Sequence, residues 1–123
     1  MLGEAFYKKF SKDYSLKCTD IDVNQDWLSY LDFRNAEAYA KDVNNFKPDW
    51  LFHLGAYTDL EYCELNETDT YETNTQSVKH AVQIANELSI SLLYISTAGI
   101  FDGKKDIYDE SDKPNPIGHY AKS

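Results

Sequence analysis

The sequence predicts a doubly wound α/β fold, in which helices cover both faces of a parallel sheet. Short apolar runs alternate with longer stretches of helical periodicity along the 123 residues, as repeated strand–helix crossovers require. The predicted strands are continuous apolar runs, which is typical of parallel strands that are covered on both faces. Polar or glycine-containing segments follow each predicted strand, at the edge where such sheets bind ligands.

The first half of the chain predicts two helices and one strand. Apolar residues at helical spacing indicate a helix over residues 2–12 and another over about 36–46. A short strand is predicted over 15–19. Asn35 is the expected N-cap of the second helix, because its side chain can accept a hydrogen bond from the backbone of the first turn.

The second half predicts two more strands, over residues 50–54 and 91–95, and a long helical region between them. That region covers about 60–88, and polar residues near 66–69 predict a break in it. A further helix is expected to begin at Tyr120, after a Pro-Asn-Pro turn. We therefore expect three strands in one sheet.

Composition and charge exclude several classes of function. The chain carries a net charge of −9 with scattered lysine and arginine, so no basic patch is available for nucleic acid. No window holds eighteen consecutive apolar residues, and no secretory signal opens the chain. Two cysteines without metal or redox spacing fit a reducing, cytoplasmic compartment. The three histidines are not spaced as metal ligands, so no metal is expected.

Asp20 follows the first predicted strand and is a candidate ligand for a dinucleotide. In such folds an acidic residue at this place accepts hydrogen bonds from the adenosine ribose and repels a 2′-phosphate, which favours NAD over NADP. Asp22 competes for the same role. A plain turn aspartate is an equally good interpretation of Asp20 by itself.

Two further candidates lie between the second and third predicted strands. The segment 55–58, with Gly55, Ala56, Tyr57 and Thr58, offers small residues that let a backbone approach a ligand closely. An ordinary strand-to-helix turn is the alternative. Asn74 stands inside a helix, where asparagine is disfavoured. It either bonds buried backbone near a site or faces solvent.

Hydroxyl groups near the end of the chain indicate proton transfer. Ser96 and Thr97 follow the third strand, and Tyr120 opens the last helix. Short-chain dehydrogenases build their proton-transfer site from a strand-end hydroxyl and a tyrosine on the next helix. A phenol with a pKa of about 10 needs a nearby cation for this work. The pattern expects a lysine four residues after Tyr120, one position beyond Ser123.

Taken in order, these segments resemble the dTDP-4-dehydrorhamnose reductase family of extended short-chain dehydrogenases. The resemblance runs from Met1 to Ser123. The segments that carry it are Met1-Leu-Gly3, Leu31-Asp-Phe33, Lys47-Pro-Asp49, Gly55-Ala-Tyr-Thr58, Asn74, Tyr94 to Gly103, Pro114-Asn-Pro116 and Tyr120-Ala-Lys-Ser123.

The resemblance implies a reductase of a nucleotide-linked 4-keto sugar, with hydride from NAD or NADP and a proton from Tyr120. Thr97 and Tyr120 would form the catalytic pair, and Ala98 would join them in binding the sugar nucleotide. A homodimer is a possible assembly of the full-length protein. The residues implied to bind the cofactor are Met1, Leu2, Gly3, Asp20, Asp32, Phe33, Gly55, Ala56, Tyr57, Thr58, Asn74 and Ser96.

The resemblance also implies that residues 1–123 are a partial, Rossmann-like NAD(P)-binding domain, truncated at both ends. We expect the first strand, its glycines, the catalytic lysine and the carboxyl-terminal substrate domain to be absent. Ala98-Gly99 replaces the Asp-Tyr that usually follows the threonine and helps to contact the sugar. Specificity for rhamnose is therefore not implied.

Two other functions remain open on the sequence. The regulatory subunit of methionine adenosyltransferase resembles the same family, so the chain could be a nucleotide-binding module without catalysis. It could also be an inactive remnant. A lysine at the expected place would favour the enzyme, and another residue there would favour the module.

Overall fold

The computed structural model describes residues 2–123, so the predicted role of Met1 lies outside the described residues. Within these residues, helices alternate with four parallel strands in two pairs, and not with three strands in one sheet as the sequence predicts. No helix separates the first two of these strands. In chain order the elements are α1 (Leu2–Phe10), β1 (Cys18–Asp20), β2 (Leu28–Tyr30), α2 (Ala36–Phe46), β3 (Trp50–His53), α3 (Leu60–Leu65), α4 (Glu67–Tyr71), a π-helical turn (Glu72–Gln76), α5 (Ser77–Leu88), β4 (Ser91–Tyr94), a 3₁₀ turn (Ala98–Ile100) and α6 (Gly118–Lys122).

The described strands form two parallel pairs. β1 pairs with β2, with Cys18 opposite Leu28, and β3 pairs with β4, with Trp50 opposite Ser91. A doubly wound sheet of the order 3-2-1-4-5-6 has its first strand between strands 2 and 4. The two pairs correspond to strands 3-2 and 4-5 of that order. The fold class is therefore confirmed: a Rossmann-like parallel sheet that lacks its first strand.

Several element boundaries differ from those predicted. The first strand lies at Cys18–Asp20 and not at 15–19, and α6 begins at Gly118, ahead of Tyr120. Sequence analysis missed β2, because Leu28–Tyr30 is short and contains a single aliphatic residue, so it has no apolar run. Parallel pairing with β1 makes it a strand. The predicted break in the long helix is confirmed at Asn66, which separates α3 from α4.

The core lies between α2, α5 and one face of the β3–β4 pair. Asn35 begins α2 as predicted, with its side chain accepting from the Ala38 N–H at 3.0 Å. Burying a large apolar side chain contributes about 1.5–3 kcal/mol, so a few such residues hold the two helices together. The buried apolar cluster consists of Leu31, Tyr39, Val43, Ala81 and Ile84.

Helix α1 contacts both strand pairs. The ring of Phe6 meets Phe52 of β3 edge-on, with centroids 5.3 Å apart. One residue later, Tyr7 stacks on Trp27, next to β2, at 4.3 Å. These aromatic contacts fix the two pairs relative to one another. No helix within residues 2–123 is long and apolar enough to cross a membrane.

A buried polar chain crosses the core from α2 to α5. The Ser77 hydroxyl donates to the carbonyl of Thr73, so it accepts the proton of His53 Nε2, 3.1 Å away. His53 Nδ1 is then an acceptor for the Tyr39 hydroxyl, also at 3.1 Å. Every member of this chain is hydrogen-bonded, which a buried polar group requires.

Burial lowers the pKa of His53 to about 4 and raises the pKa of the Tyr39 phenol. Only 3% of His53 is exposed, so the neutral imidazole belongs to the folded state. In the unfolded chain the same group titrates near pH 6.5. Below that pH the unfolded state binds the proton first, and the free energy of unfolding falls as the pH falls from about 6.5 towards 4.

We predict that this histidine makes the chain less stable by about 2 kcal/mol at pH 5 than at pH 7. Urea unfolding at both pH values measures the difference. His53→Gln should remove most of it, because glutamine does not titrate in this range. His80→Gln is the matched control on α5. An equal pH dependence in wild type and His53→Gln would contradict the assignment.

Candidate functional site

Asp20 is the last residue of β1 and lies at the carboxyl edge of the sheet. Its backbone carbonyl accepts from the Leu31 N–H at 3.1 Å, which joins the ends of β1 and β2. One carboxylate oxygen, Oδ1, accepts from the N–H of Asp22 at 3.0 Å. The carboxylate of the competing Asp22 is exposed and bound by the Asn24 amide at 3.0 Å. Asp20 is half-buried at the strand end and is thus the better placed of the two to meet a ligand at this edge of the sheet.

Asp32 lies two residues beyond β2, and Arg34 surrounds its carboxylate. The Arg34 guanidinium donates to Asp32 from Nε at 2.9 Å and from Nη2 at 2.8 Å. The Arg34 backbone N–H adds a third bond at 3.0 Å. These bonds hold the pKa of Asp32 below its usual range. Sequence analysis missed Arg34, although a basic residue two positions after a candidate carboxylate is a usable signal.

Phe33 connects this strand end to the loop after β3. Its ring lies 4.9 Å from the His53 ring, edge to face. A Cβ atom on Gly55 would come within 2.4 Å of Phe33 Cε1. Gly55 is therefore glycine because the aromatic ring occupies the space of a side chain. The remaining loop residues, Ala56 and Thr58, are exposed beside it.

Asn74 holds the loop in place from the π-helical turn. Its Oδ1 accepts from the Tyr57 N–H at 2.8 Å, and its Nδ2 donates to the Tyr57 carbonyl at 3.0 Å. Only 5% of Asn74 is exposed. Of the two interpretations left open by the sequence, the bond to buried backbone is the observed one. Asn74 fixes the loop that carries Tyr57.

A polar relay links the two strand ends on their outer side. Arg34 Nη1 lies 3.4 Å from Asp69 Oδ1, and the Tyr62 hydroxyl donates to Asp69 Oδ2 at 2.6 Å. That bond raises the pKa of Tyr62 to about 12. The Tyr62 ring in turn lies 4.9 Å from the Tyr57 ring. The polar bonds therefore run from Asp32 to Tyr62, and a ring contact makes the last step to Tyr57.

Thr97 caps the 3₁₀ turn after β4 and lies beside α6. Its Oγ1 accepts from the Gly99 N–H at 3.1 Å, which leaves its own proton free to donate. A Cβ on Gly99 would lie 3.4 Å from Thr97 Oγ1 and 3.5 Å from Ala121 Cβ. Thr97 thus approaches the helix that carries the half-buried Tyr120 across a glycine. Ser96 and Ala98 are exposed on either side of it.

The carboxyl end of α6 is bound to the π-helical turn. Asn74 Nδ2 donates to Ser123 Oγ at 3.0 Å, and Thr75 Oγ1 donates to the Ser123 carbonyl at 2.7 Å. The side chain of Asn74 therefore contacts both the Tyr57 loop and the helix of Tyr120. This second connection was not predicted from the sequence.

The predicted residues at the start of the chain stand apart from these contacts. Leu2 is exposed at the beginning of α1, and a Cβ on Gly3 would meet no described atom within 4 Å. There is room for a ligand at this end of the helix. Across the described part of the chain, no group of three or more histidine, cysteine, aspartate or glutamate side chains is arranged to hold a metal ion.

Comparisons with known proteins agree with this architecture. The family model described as the RmlD substrate binding domain matches residues 1–123. The dTDP-4-dehydrorhamnose reductase of Aggregatibacter actinomycetemcomitans is 31% identical over 78% of the chain and 33% of its own length. The β subunit of methionine adenosyltransferase 2 from Danio rerio is 27% identical over 100% of the chain and 38% of its own length.

Solved structures show the same fold. A hypothetical dTDP-4-dehydrorhamnose reductase from Sulfolobus tokodaii superposes with a TM-score of 0.89 at 26% identity, covering 98% of this chain and 44% of the other. The dTDP-4-dehydrorhamnose reductase of Bacillus anthracis, in complex with NADP, gives 0.72 at 26% identity over 77% of this chain and 36% of its own.

The chain spans about a third of the length of the curated relatives that it matches. Within that span the match to the family model is complete, from the first residue to the last. The chain therefore belongs to the RmlD substrate binding domain family.

Proposed function

We propose that the chain is part of the NAD(P)-binding domain of a reductase that acts on a nucleotide-linked 4-keto sugar. One observation supports this above the others. The side chain of Asn74 joins the Tyr57 loop after β3 to the helix that carries Tyr120. The two halves of the proposed site, cofactor loop and proton donor, are thereby held together.

The described residues fit a dinucleotide at the carboxyl edge of the sheet. The Asp20 carboxylate has one oxygen left to accept from ribose hydroxyls, since only Oδ1 is bonded to a described residue. Asp32 and Phe33 follow the next strand, where the adenine would lie. The exposed loop residues Ala56 and Thr58 offer backbone to the rest of the cofactor.

Between the two cofactors, Asp20 favours NAD. A carboxylate at the end of this strand accepts hydrogen bonds from the 2′- and 3′-hydroxyls and repels a 2′-phosphate. The relative from Bacillus anthracis holds NADP, so the family itself does not decide the choice. In this chain the charge of Asp20 supports NAD.

The proposed reaction transfers a hydride and a proton to a ketone. When bound, the dihydronicotinamide supplies the hydride, which forms the new C–H bond at the carbonyl carbon. The Tyr120 hydroxyl gives its proton to the carbonyl oxygen, so an alcohol forms and a phenolate remains until solvent reprotonates it. Thr97 donates its free proton to the same oxygen and orients the ketone. The resemblance implies a lysine at the position after Ser123, and its charge would stabilise the phenolate.

A non-catalytic nucleotide-binding module is the second candidate. The β subunit of methionine adenosyltransferase 2 matches over the whole chain, whereas the reductase from Aggregatibacter actinomycetemcomitans matches over 78% of it. Ala98-Gly99 also replaces the Asp-Tyr pair of the reductases. A module of this kind would bind the cofactor and would not turn it over.

We predict that the chain binds NADH more tightly than NADPH, and that Asp20→Asn reduces this preference about tenfold. The asparagine keeps the oxygen that accepts from the Asp22 N–H and removes the charge that repels a phosphate. Isothermal titration with both nucleotides measures the ratio. Asp22→Asn, the neighbouring exposed carboxylate, should leave it unchanged. Equal affinity of the wild type for the two nucleotides would contradict the role assigned to Asp20.

We predict that Tyr120→Phe lowers turnover by about 10²- to 10⁴-fold while NADH affinity stays the same, since general acid catalysis contributes that much. The assay uses dTDP-4-dehydrorhamnose and a chimera in which this chain replaces the matching segment of the Sulfolobus tokodaii reductase. Tyr30→Phe, an exposed tyrosine on β2, is the control.

Full turnover with phenylalanine at position 120 would exclude Tyr120 as the acid. A wild-type chimera that binds NADH and reduces no sugar nucleotide would favour the binding module over the reductase.

A further inference from the structure

The helix that carries Tyr120 has no N-cap of its own. Ile117 precedes α6 and offers no side-chain acceptor to the free N–H groups of the first turn. The N–H groups of the first turn therefore take acceptors from other elements. The contacts at its amino end come from α3 and α4.

Glu64 on α3 supplies the missing acceptor. Its Oε1 accepts from the backbone N–H of His119 at 2.6 Å. A Cβ atom on Gly118 would lie 2.6 Å from the same oxygen, and Gly118 has a φ of 79°. Glycine at 118 therefore meets two demands at once, the left-handed backbone and the space that the carboxylate occupies.

The position of Glu64 is itself fixed by the cofactor loop. The preceding residue, Cys63, is fully buried, and its thiol lies 3.9 Å from the Tyr57 carbonyl. Asp59 caps the start of α3 by accepting from the Tyr62 N–H at 2.9 Å. Glu64 thus extends towards α6 from a helix that is packed under the loop.

The side chain of His119 adds a weaker contact, to the next helix, α4. Its Nδ1 lies 3.5 Å from Glu67 Oε1, and its ring meets Tyr71 edge-on at 6.1 Å. Glu67 contacts α6 only through this side chain, whereas Glu64 binds the backbone. The two glutamates are therefore a matched pair for experiment, because Glu64 binds the backbone of α6 and Glu67 contacts one of its side chains.

We infer that Glu64 is a positioning residue for Tyr120, because it caps α6 through the His119 amide and needs glycine at position 118. This inference rests on the proposed function of Tyr120. With Asn74 and Thr75 on Ser123 at the other end, α6 is bound to the α3–π-helical region at both termini. Glu64 aligns the phenol through the helix and does not touch the reacting atoms.

The test uses the full chain and changes the length of the side chain at position 64 separately from its charge. Glu64→Gln keeps an oxygen at the same distance without charge, and Glu64→Asp keeps the charge one methylene too short. We expect the His119 amide to exchange with solvent about tenfold faster in Glu64→Asp and Glu64→Ala. The Tyr120 ring resonances should shift in both. Glu64→Gln and Glu67→Gln should match the wild type.

Addition of NADH gives a second measurement, which a general loss of stability would not change. In the wild type we expect NADH to perturb the Tyr120 ring resonances. In Glu64→Asp this perturbation should be lost, while the NADH affinity stays within about twofold because Asp20 and Asp32 are untouched. Gly118→Ala should reproduce the Glu64→Asp phenotype.

Unchanged His119 exchange and Tyr120 resonances in Glu64→Asp would overturn the inference, as would failure of glutamine to restore them. If the chimera with the Sulfolobus tokodaii reductase binds no NADH, the proposed function fails, yet the exchange and resonance data still decide whether Glu64 sets the position of α6.

Discussion

The site depends on one buried amide. Asn74 satisfies both backbone groups of Tyr57 and also donates to the Ser123 hydroxyl. Its side chain is almost fully buried, so each of these bonds replaces a bond to water that the folded state no longer offers. Removing a buried partner leaves unpaired polar groups, which costs about 1–3 kcal/mol for each group. The Tyr57 loop and α6 are therefore coupled through the buried side chain of Asn74.

The π-helical turn explains how Asn74 reaches both partners. Such turns are rare and occur mostly as single insertions in α-helices, often at functional sites. Here the turn Glu72–Gln76 stands between α4 and α5, and its side chains contact Tyr57 on one side and Ser123 on the other. The same turn supplies the Thr73 carbonyl to Ser77, and through Ser77 it connects to the buried His53. Core and site thus share one irregular segment.

Local signals in the sequence account for the parts of the fold that were predicted. Asn35 predicts the start of α2 because an N-cap is a local interaction. A few consecutive polar residues likewise predict the break at Asn66. β2 was not predicted, because its three residues form a strand only by pairing with β1, which is a separate segment of the chain. Glu64 was not predicted for the same reason, because its partner His119 lies 55 residues away. Arg34 did have a local signal, the carboxylate of Asp32 two residues before it. The strand ends were predictable, and the bonds that connect them were not.

The free energies of these contacts decide which of them stabilise the candidate site. The Arg34–Asp69 pair joins the loop after β2 to α4, but both side chains remain about a third exposed. Such a pair is worth about 0–1 kcal/mol. Phe33 is half-buried against Gly55 and His53, and it gains a part of the roughly 1.5–3 kcal/mol that full burial of such a side chain is worth. Packing of Phe33 therefore brings the two strand pairs together at their carboxyl ends. The polar relay then sets the orientation of Asp32 and Tyr57 within a geometry that the aromatic ring has already fixed.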